Sequence, residues 1–511
     1  MGVFLKISLF ATGCAGIVAE YVLSTLATYL LGNAILQWTV IISLMLFAMG
    51  VGSRLSRYFR TDLLDCFILI EFILSALCAA CVTLAYGLAA FTEYTALLIY
   101  AQAIVIGILI GLEIPLVLRL NQSYEALRIN VSEVMEKDYY GALLGGFAFA
   151  FIALPTLGLA YTPIVLGVTN FSVAALLLWG YFPLVRRKGL LGGGFGLTCL
   201  VLIGLAVIAK PVIRYGEQRK YRDKVIHASQ TPYQKLVMTQ WKQYYWLYIN
   251  GQEQFSTYDE DKYHEPLVHP AMKASINPEN VLILGGGDGL ALREVLTHPK
   301  VRAVTLVDID PAMTQLAQTH PVLVSVNRDA MSDNRVTIVN RDAARFLADD
   351  DHLYGVIIAD LPDPDTVDLM SVYSESFYQQ IRRHLIRGGA MVTQAGSPYF
   401  TRKAFLCIYK TVRAAGFSTL AYHNQIPTMG QWGWVLGTAA TDHTDATLRA
   451  RMMTETFEGL PTRFLNQDAM IGMMHFGKGV FEESVLNEIK INTEFNPVLH
   501  SYYLSGNWGV Y

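Results

Sequence analysis

Acidic side chains follow four predicted strands in the second half of the chain. The strands are VLIL (281–284), AVTLVDID (303–310), VTIVN (336–340) and YGVIIAD (354–360), and the acids are Asp288, Asp308, Asp342 and Asp360. Strands that alternate with helices form a parallel sheet covered on both faces, and its ligands bind beyond the carboxyl ends of the strands. One such acid is often only a helix cap, but four at successive strand ends predict an acidic binding site.

The segment GGGDG (285–289) joins the first of these strands to a predicted helix at 290–297. Glycine has no Cβ, so it allows a tight turn and a close approach of the backbone to a ligand. A phosphate-binding loop favours negative charge, whereas Asp288 would repel a phosphate. The loop therefore predicts a positively charged nucleoside without phosphate. Asp308, about 20 residues further on, suits its ribose hydroxyls.

The surplus of carboxylates also predicts which nucleoside binds. S-adenosylmethionine carries a carboxylate of its own, which would sit poorly beside Asp288, whereas its decarboxylated form keeps the sulfonium and the amine. Like-charge contacts of this kind can cost several kcal/mol, which is enough to discriminate. A diamine would likewise be drawn to Asp360 and to Asp363, which follows it in DLPDP.

The first 210 residues are apolar enough to form a membrane domain. Hydrophobic residues make up 53% of the chain and charged residues only 16%, against about 25% charged residues in soluble domains. About seven apolar runs are long enough to cross a bilayer, near 4–30, 35–52, 63–90, 95–118, 139–158, 161–183 and 189–209. We expect a multi-pass α-helical domain in a lipid bilayer and not a cleaved leader. The net charge of −3 gives no support for nucleic-acid binding.

Basic residues give two conflicting indications of orientation. The basic residues at 54–60, 119–137 and 186–188 place these three loops and the N-terminus in the cytoplasm. Seven crossings would then leave the rest of the chain outside. The basic cluster at 210–224 favours the inside for that same part of the chain. We expect a cytoplasmic catalytic domain at the cell membrane, because the substrate deduced above is made in the cytosol.

Glu20, Glu71 and Glu113 lie in or near apolar runs, where ionisable groups are expensive and often functional. Either they form a cation-binding or polyamine-conducting path, or they are carboxylates bonded to neighbouring helices. Cys78 and Cys81 form a C-x-x-C without a second pair, so we interpret them as packed thiols and predict no metal site.

The composition becomes that of a soluble protein after residue 210. An N-terminal β segment is predicted at 211–275. A parallel-sheet α/β domain of the Rossmann-like, S-adenosylmethionine-dependent methyltransferase type is predicted at 276–440, with a helix near 375–386 before the strand AMVTQ. A C-terminal tail follows at 441–511.

The second half of the chain resembles spermidine synthase, a polyamine aminopropyltransferase. The resemblance covers about 225–440 and rests on GGGDG, VDID, DAARFL, ADLPDP, SESFY and GGAMVTQ, with TPYQKLVM and YINGQEQFSTYDEDKYHEPLVH upstream in the same order. The apolar half resembles the multi-pass N-terminal region of bacterial membrane-bound members. The end of the chain, INTEFNPVLHSYYLSGNW, is similar to the tail of that subgroup.

The resemblance implies a role for each matching residue. It makes Asp360 the catalytic base. It assigns nucleoside binding to Gln234, Gly285, Gly287, Asp288, Asp308, Asp342 and Ala343. It assigns amine binding to Tyr263, His264, Asp288, Asp363 and Gln394, and it matches Gln254 to a family glutamine.

Three positions depart from the family pattern. Ala343 replaces a usual glycine, and Leu290 stands where many members have another glycine, which should only trim the edge of the pocket. Met429 in IPTMGQWGW replaces the tyrosine of the usual P-T-Y and cannot donate its hydrogen bond. We interpret Trp432 and Trp434 as packing residues.

The resemblance implies transfer of an aminopropyl group from decarboxylated S-adenosylmethionine to putrescine, giving spermidine and methylthioadenosine, with no resident cofactor or metal. Because of Met429, another acceptor amine stays open. Two other classes also stay open: an S-adenosylmethionine-dependent N-methyltransferase, and a polyamine sensor or transporter. A homodimer and a homotetramer are both compatible with the resemblance.

Overall fold

The computed structural model describes residues 2–31, 34–89, 91–92, 94–121, 127–439 and 444–506. The chain forms two compact units, which divide between Asp223 and Lys224. The division comes later than the predicted boundary at 210, because the last helix of the first unit continues to Lys220. The polar end of this helix still packs on the bundle, since a Cβ on Gly216 would lie 2.5 Å from the carbonyl oxygen of Tyr86.

The first unit is a bundle of apolar helices. They are α1 (Gly2–Leu31), α2 (Ala34–Leu55), α3 (Leu63–Ala89), α4 (Thr95–Asn121), α5 (Leu127–Ala148), α6 (Leu154–Gly180) and α7 (Lys188–Lys220). Six continuous helical segments of the described residues are long and apolar enough to cross a membrane, by length and composition. The segment Val131–Gly180 combines two of the predicted runs, because α5 continues into α6 through a π-helical turn and breaks only at Gly158.

One hydrogen bond lies inside this bundle and another joins the ends of two of its helices. Inside, Glu71 and Glu113 are buried, and the Thr12 hydroxyl of α1 donates to Glu71 Oε1 at 3.2 Å. This bond fits the interpretation of Glu71 as a carboxylate bonded to a neighbouring helix. Lys220 Nζ at the end of α7 donates to the Tyr29 carbonyl oxygen near the end of α1 at 3.3 Å. The end of α7 therefore lies beside the end of α1 and far from the start of α1.

The second unit begins with a small antiparallel sheet of strand order β1-β2-β3-β4. Its strands are β1 (Lys224–Gln230), β2 (Lys235–Trp241), β3 (Tyr244–Ile249) and β4 (Gln252–Ser256). The buried helix α8 (Asp261–Ala274) follows within the segment predicted as β. Every residue from 263 to 272 is buried, so α8 is enclosed on all sides and packs on the main sheet.

The main sheet has seven strands in the order β10-β11-β9-β8-β5-β6-β7. The strands are β5 (Asn280–Gly285), β6 (Ala303–Asp308), β7 (Val336–Asn340), β8 (Tyr354–Asp360), β9 (Leu385–Gln394), β10 (Ser418–Ile426) and β11 (Gly430–Thr438). The helices between them are α9 (Leu290–Leu296), α10 (Pro311–Thr319), α11 (Pro321–Val326), α12 (Ala343–Asp349), α13 (Glu375–Arg383) and α14 (Arg402–Ala414). Buried side chains cover both faces of this sheet in two clusters.

The five predicted strands, β5 to β9, pair in parallel as expected. The whole sheet is mixed, however, because the chain returns after α14 as a hairpin whose strand β11 pairs antiparallel with both β9 and β10. One helix boundary was predicted wrongly. The helix predicted at 375–386 ends at Arg383. Leu385 already pairs with Tyr354, so LIRGG belongs to β9.

The C-terminal segment packs on the same unit. It forms α15 (Asp445–Thr454), α16 (Gln467–Met473), α17 (Glu483–Glu488) and α18 (Leu499–Leu504). Ile489, Leu499 and Tyr503 are buried in the cluster on one face of the sheet. The segment is therefore part of the folded domain and not a loose tail.

Candidate active site

The strands β5 and β8 meet at their carboxyl ends, where Gly285 lies beside Asp360. The Gly286 N–H donates to the Asp360 carbonyl oxygen at 3.1 Å. Gly285 has a φ of +82°, and a Cβ at this position would overlap the same carbonyl oxygen. Only glycine therefore lets the loop GGGDG begin beside Asp360.

Asp308 ends β6 and holds the other side of the glycine loop. Its Oδ2 accepts from the Gly287 N–H at 3.1 Å, and its Oδ1 accepts from the Asp310 N–H at 2.8 Å. Burial raises the pKa of Asp308 to about 6, and the charges of Asp310 and Asp288 add to the increase. The carboxylates of Asp288 and Asp308 therefore lie close enough at the loop for the charge of one to raise the pKa of the other.

Asp288 lies within the loop, and its Oδ1 accepts a hydrogen bond of 2.8 Å from the Leu290 N–H. The side chain of Leu290 is fully buried in the core. The expectation that Leu290 trims the edge of the pocket is therefore wrong. In the first turn of α9, this position faces the packed side of the helix.

Asp360 receives a hydrogen bond of 2.8 Å on Oδ1 from the Tyr263 hydroxyl. Burial raises the pKa of Asp360 to about 6 and the charge of Asp288 adds to this, whereas His264 and the bond from Tyr263 lower it. A carboxyl with this pKa is mostly ionised at neutral pH and still accepts a proton readily. Those two properties suit a general base.

His264 is buried next to Tyr263, and its Nδ1 lies 2.9 Å from the Glu260 carbonyl oxygen and 3.2 Å from Glu260 Oε2. Burial alone would lower the pKa of His264. The hydrogen bond with Glu260 and the charges of Asp288 and Asp360 outweigh burial and raise it. His264 therefore places partial positive charge behind the acidic cluster.

Glu260 connects His264 to a buried arginine. Arg293 Nη2 donates to Glu260 Oε2 at 2.7 Å, and Arg463 of the C-terminal segment donates to Glu260 Oε1. Although burial opposes ionisation, the bonds from His264 and Arg293 hold the pKa of Glu260 far below its usual value. The sequence analysis missed this network, because its members are widely separated in the chain.

Asp363 lies in the loop after β8, and both of its oxygens are hydrogen-bonded. Gln394 Nε2 donates to Oδ1 at 3.1 Å, and the Tyr503 hydroxyl of α18 donates to Oδ2 at 2.8 Å. Burial raises the pKa of Asp363 to about 6, the bond from Tyr503 lowers it and the charge of Asp365 raises it. The predicted pair of Asp363 and Gln394 is therefore brought together.

Tyr373 and Tyr503 are site residues that the sequence analysis missed. Gln394 Nε2 donates to the Tyr373 hydroxyl at 2.6 Å, and that hydroxyl donates to the Pro362 carbonyl oxygen at 2.9 Å. Tyr373 precedes the motif SESFY, which was used only to recognise the family. Tyr503 lies in the tail motif SYYLSGNW, which was noted without a role for any residue.

Asp342 and Ala343 stand at the start of α12. Asp342 is its N-cap, and its Oδ1 accepts from the Arg345 N–H at 2.9 Å. One oxygen of Asp342 therefore caps the helix. The role of Asp342 in nucleoside binding stays a prediction. Ala343 is buried at the first turn of the same helix.

Gln234 and Gln254 come from the small sheet. Gln234 is the last residue of the turn between β1 and β2. Thr231 begins the same turn, and its hydroxyl donates to Asp310 Oδ2 at 2.8 Å. This bond connects the turn to the loop after β6, on the predicted nucleoside side. Gln254 is half-buried in β4, and Gln252, two residues earlier in the same strand, donates to Asp365 Oδ2 at 3.0 Å.

Met429 is buried in the core cluster that also contains Trp432 and Trp434. The ring of Tyr263 lies 5.6 Å from that of Trp434 and 6.4 Å from that of Trp432, measured between centroids. The two indoles therefore pack around the tyrosine that holds Asp360. The thioether of Met429 donates no hydrogen bond at this position.

These residues form an acidic site with three carboxyl pKa values near 6, those of Asp308, Asp360 and Asp363. Among the described residues, no group of three or more His, Cys, Asp or Glu side chains is arranged to hold a metal ion. An acidic site can bind cations, align a protonated amine with an electrophile and accept a proton.

Comparison with known proteins places the chain in a family. Residues 260–449 match the spermine/spermidine synthase domain. Polyamine aminopropyltransferase 2 of Aquifex aeolicus is 40% identical over 98% of this chain and 98% of its own length. Polyamine aminopropyltransferase 2 of Ralstonia nicotianae is 38% identical over 92% of each chain. The enzyme of Oceanobacillus iheyensis is 36% identical over 96% of this chain and 94% of its own.

The matches extend over the apolar first half as well as the acidic site, since they span nearly the whole of each chain. The glycine loop, the strand-end carboxylates, Tyr263 and Gln394 lie inside the matched domain, whereas Tyr503 lies beyond its end. The chain therefore belongs to the spermine/spermidine synthase family and is a transferase of the polyamine aminopropyltransferase group.

Proposed function

We propose that the second unit transfers the aminopropyl group of decarboxylated S-adenosylmethionine to a diamine, with putrescine as the first candidate. The products are spermidine and methylthioadenosine. The observation that carries this proposal is the geometry of Asp360, which lies between the glycine loop and Tyr263 with a pKa near 6. The loop side takes the nucleoside and the Asp363 side takes the diamine.

The charge of Asp288 supports the decarboxylated nucleoside. Its carboxylate lies close enough to Asp360 and Asp308 to raise both of their pKa values, in addition to the effect of burial. A third carboxylate brought in by S-adenosylmethionine would add like-charge repulsion, whereas a sulfonium and an ammonium group relieve it. The decarboxylated form is therefore the better ligand.

The reaction is a direct displacement. The free amine of the diamine attacks the carbon next to the sulfonium, the new C–N bond forms as the C–S bond breaks, and the electron pair stays on sulfur in methylthioadenosine. Asp360 accepts the proton that the amine nitrogen loses. Tyr263 fixes Oδ1 of Asp360, and Oδ2 faces Gly286, where an added Cβ would lie 3.5 Å away.

Asp363 supports the acceptor side. Its two oxygens are oriented by Gln394 and Tyr503, and an ionised carboxylate held in this way would bind the ammonium group at the far end of a diamine. Binding both cations in one acidic pocket brings the reacting atoms together.

The test is a mass-spectrometric assay of the purified full-length protein with both nucleosides and a series of amines. We expect aminopropylated product and methylthioadenosine with the decarboxylated nucleoside and putrescine. Diamines of other lengths and spermidine serve as competing acceptors. Methylated amines formed from S-adenosylmethionine would instead support an N-methyltransferase. Absence of any product with every amine, from protein that binds polyamines, would support a sensor or transporter.

We propose in addition that the first unit spans a lipid bilayer. Six helical segments of sufficient length and apolarity support this. The protein should then stay in the membrane pellet after an alkaline carbonate wash. Because α7 ends beside the end of α1, the start of α1 and Lys220 should lie on opposite faces. Labelling of a cysteine introduced at exposed Tyr399 tests the cytoplasmic position of the catalytic unit.

A further inference from the structure

The segment after α17 runs along the domain to the loop that carries Asp363. Lys410 Nζ donates to the Leu486 and Ile489 carbonyl oxygens, both at 2.6 Å. The Asn492 N–H donates to the Thr411 hydroxyl at 3.0 Å. These bonds attach the segment to α14 on one face of the sheet, so its path toward the site is defined by the fold.

Asn492 then anchors the site loop. It is fully buried, and its Nδ2 donates to the carbonyl oxygens of Met370 and Tyr373 at 3.0 and 3.1 Å. Tyr373 in turn donates to the Pro362 carbonyl oxygen, next to Asp363. The loop after β8 is therefore held at its distal end by a residue of the C-terminal segment.

Tyr503 reaches Asp363 directly. The side chain is 5% exposed, and its hydroxyl donates to Asp363 Oδ2 at 2.8 Å. Burial raises the pKa of Tyr503, and the charges of Asp363 and Asp365 raise it further, so the phenol stays protonated and remains a donor. A hydrogen bond to a charged group contributes more than one between neutral groups.

The bond has an electrostatic consequence for the carboxyl. Burial raises the pKa of Asp363. The hydrogen bonds from Tyr503 and Gln394 both lower it, and the bond from Tyr503 has the larger effect. Without the phenol, Asp363 would be protonated at a higher pH. A protonated carboxyl no longer attracts an ammonium group.

The resemblance implies a tyrosine hydroxyl at position 429, but Met429 is buried in the core and has no hydrogen to donate. The C-terminal segment brings a phenolic hydroxyl to the site by another route, about 70 residues later in the sequence.

We propose that Tyr503 is a positioning residue for the acceptor amine: its hydroxyl holds the carboxylate of Asp363 in place to bind the ammonium group of the diamine. This inference rests on the proposed function. Tyr503 acts through Asp363 and not on the reacting atoms. Its loss should therefore weaken acceptor binding more than it slows the chemical step.

The experiment compares Tyr503→Phe with Tyr502→Phe in the full-length protein. Tyr502 is the matched control because it lies in the same helix and its hydroxyl accepts from the Lys490 N–H at 3.3 Å, away from Asp363. For Tyr503→Phe we expect the KM for the diamine to rise about 10-fold, as for loss of a bond to a charged group. We expect kcat and the KM for the nucleoside to change little. The acid limb of kcat/KM for the diamine should move to higher pH.

A double-mutant cycle with Asp363→Asn separates positioning from general destabilisation. If Tyr503 acts through Asp363, Tyr503→Phe has no further effect on the diamine KM in the Asp363→Asn background. An unchanged diamine KM and an unchanged acid limb in Tyr503→Phe would overturn the inference, and so would equal effects in Tyr502→Phe. In both cases, aminopropyl transfer by the wild-type protein would still support the proposed function. Wild-type protein without aminopropyl transfer to any amine would instead overturn the proposed function.

Discussion

The hydroxyl of Tyr263 donates a hydrogen bond of 2.8 Å to Oδ1 of Asp360, across 97 residues of sequence. The tyrosine belongs to α8 and the aspartate to the end of β8. The bond stabilises the ionised carboxylate against the burial that raises its pKa to about 6. One hydroxyl thereby adjusts the proton affinity of the proposed base.

Tyr263→Phe tests this relationship. Removing the hydroxyl removes an interaction that lowers the pKa of Asp360, so the pKa should rise and the acid limb of kcat should move to higher pH. The pH dependence of methylthioadenosine formation measures the shift. Tyr422→Phe is the control, because it deletes a buried hydroxyl that donates to the Pro266 carbonyl oxygen at 2.8 Å. An acid limb that moves equally in both variants would contradict the role of Tyr263.

Asp360→Asn keeps the shape of the side chain and removes the base. We expect kcat to fall by about 10²–10⁴-fold, the usual contribution of a general base. Nucleoside affinity, measured by calorimetry, should change only slightly. Asp351→Asn, an exposed acid in the loop before the same strand, is the control and should retain full activity. Near-normal turnover in Asp360→Asn would refute the assignment of the base.

The same carboxyl makes the stability of the protein depend on pH. Asp360 titrates near 3.9 when unfolded and at about 6 when folded, so the folded state binds its proton more tightly. The contribution to stability is fully present below about pH 4 and is lost as the pH rises through 6. The free energy of unfolding of wild type relative to Asp360→Asn should fall by up to about 3 kcal/mol from pH 4 to pH 8. Urea unfolding at several pH values measures it, and a constant difference would contradict the raised pKa.

Gly285→Ala tests the approach of β5 to β8. The new Cβ would overlap the Asp360 carbonyl oxygen at a residue with a φ of +82°, so we expect a loss of more than about 3 kcal/mol of stability. Gly251→Ala is the control, since Gly251 has a φ of +88° with open space around its Cβ position. There only backbone strain of about 1–2 kcal/mol is expected. If thermal unfolding gave the same loss of stability for both variants, the backbone at Gly285→Ala would have moved to avoid the overlap, which would contradict the prediction.

The strand ends were predictable from the sequence because their signal is local. Each of the strands β5 to β8 is a short apolar run followed by a turn, and the side-by-side position of Gly285 and Asp360 follows from parallel pairing. Asp288, Asp308, Asp360 and Asp363 could therefore be predicted to lie near one another. The helix predicted at 290–297 was also confirmed, because α9 spans Leu290–Leu296.

The remaining features depend on contacts between distant parts of the chain. The antiparallel β10–β11 hairpin has strand patterns that do not indicate direction. The bonds from Arg463 to Glu260 and from Tyr503 to Asp363 join the C-terminal segment to the site across long separations in sequence. No periodicity or spacing within either partner indicates such a pair.

The path of the C-terminal segment also sets an order of events during protein synthesis. Asn492 and Tyr503 leave the ribosome after every strand of the main sheet has been translated. A nascent chain can therefore assemble the glycine loop, Tyr263 and Asp360 while the loop of Asp363 still lacks these two partners. During synthesis, the part of the pocket proposed for the nucleoside should form before the part proposed for the diamine.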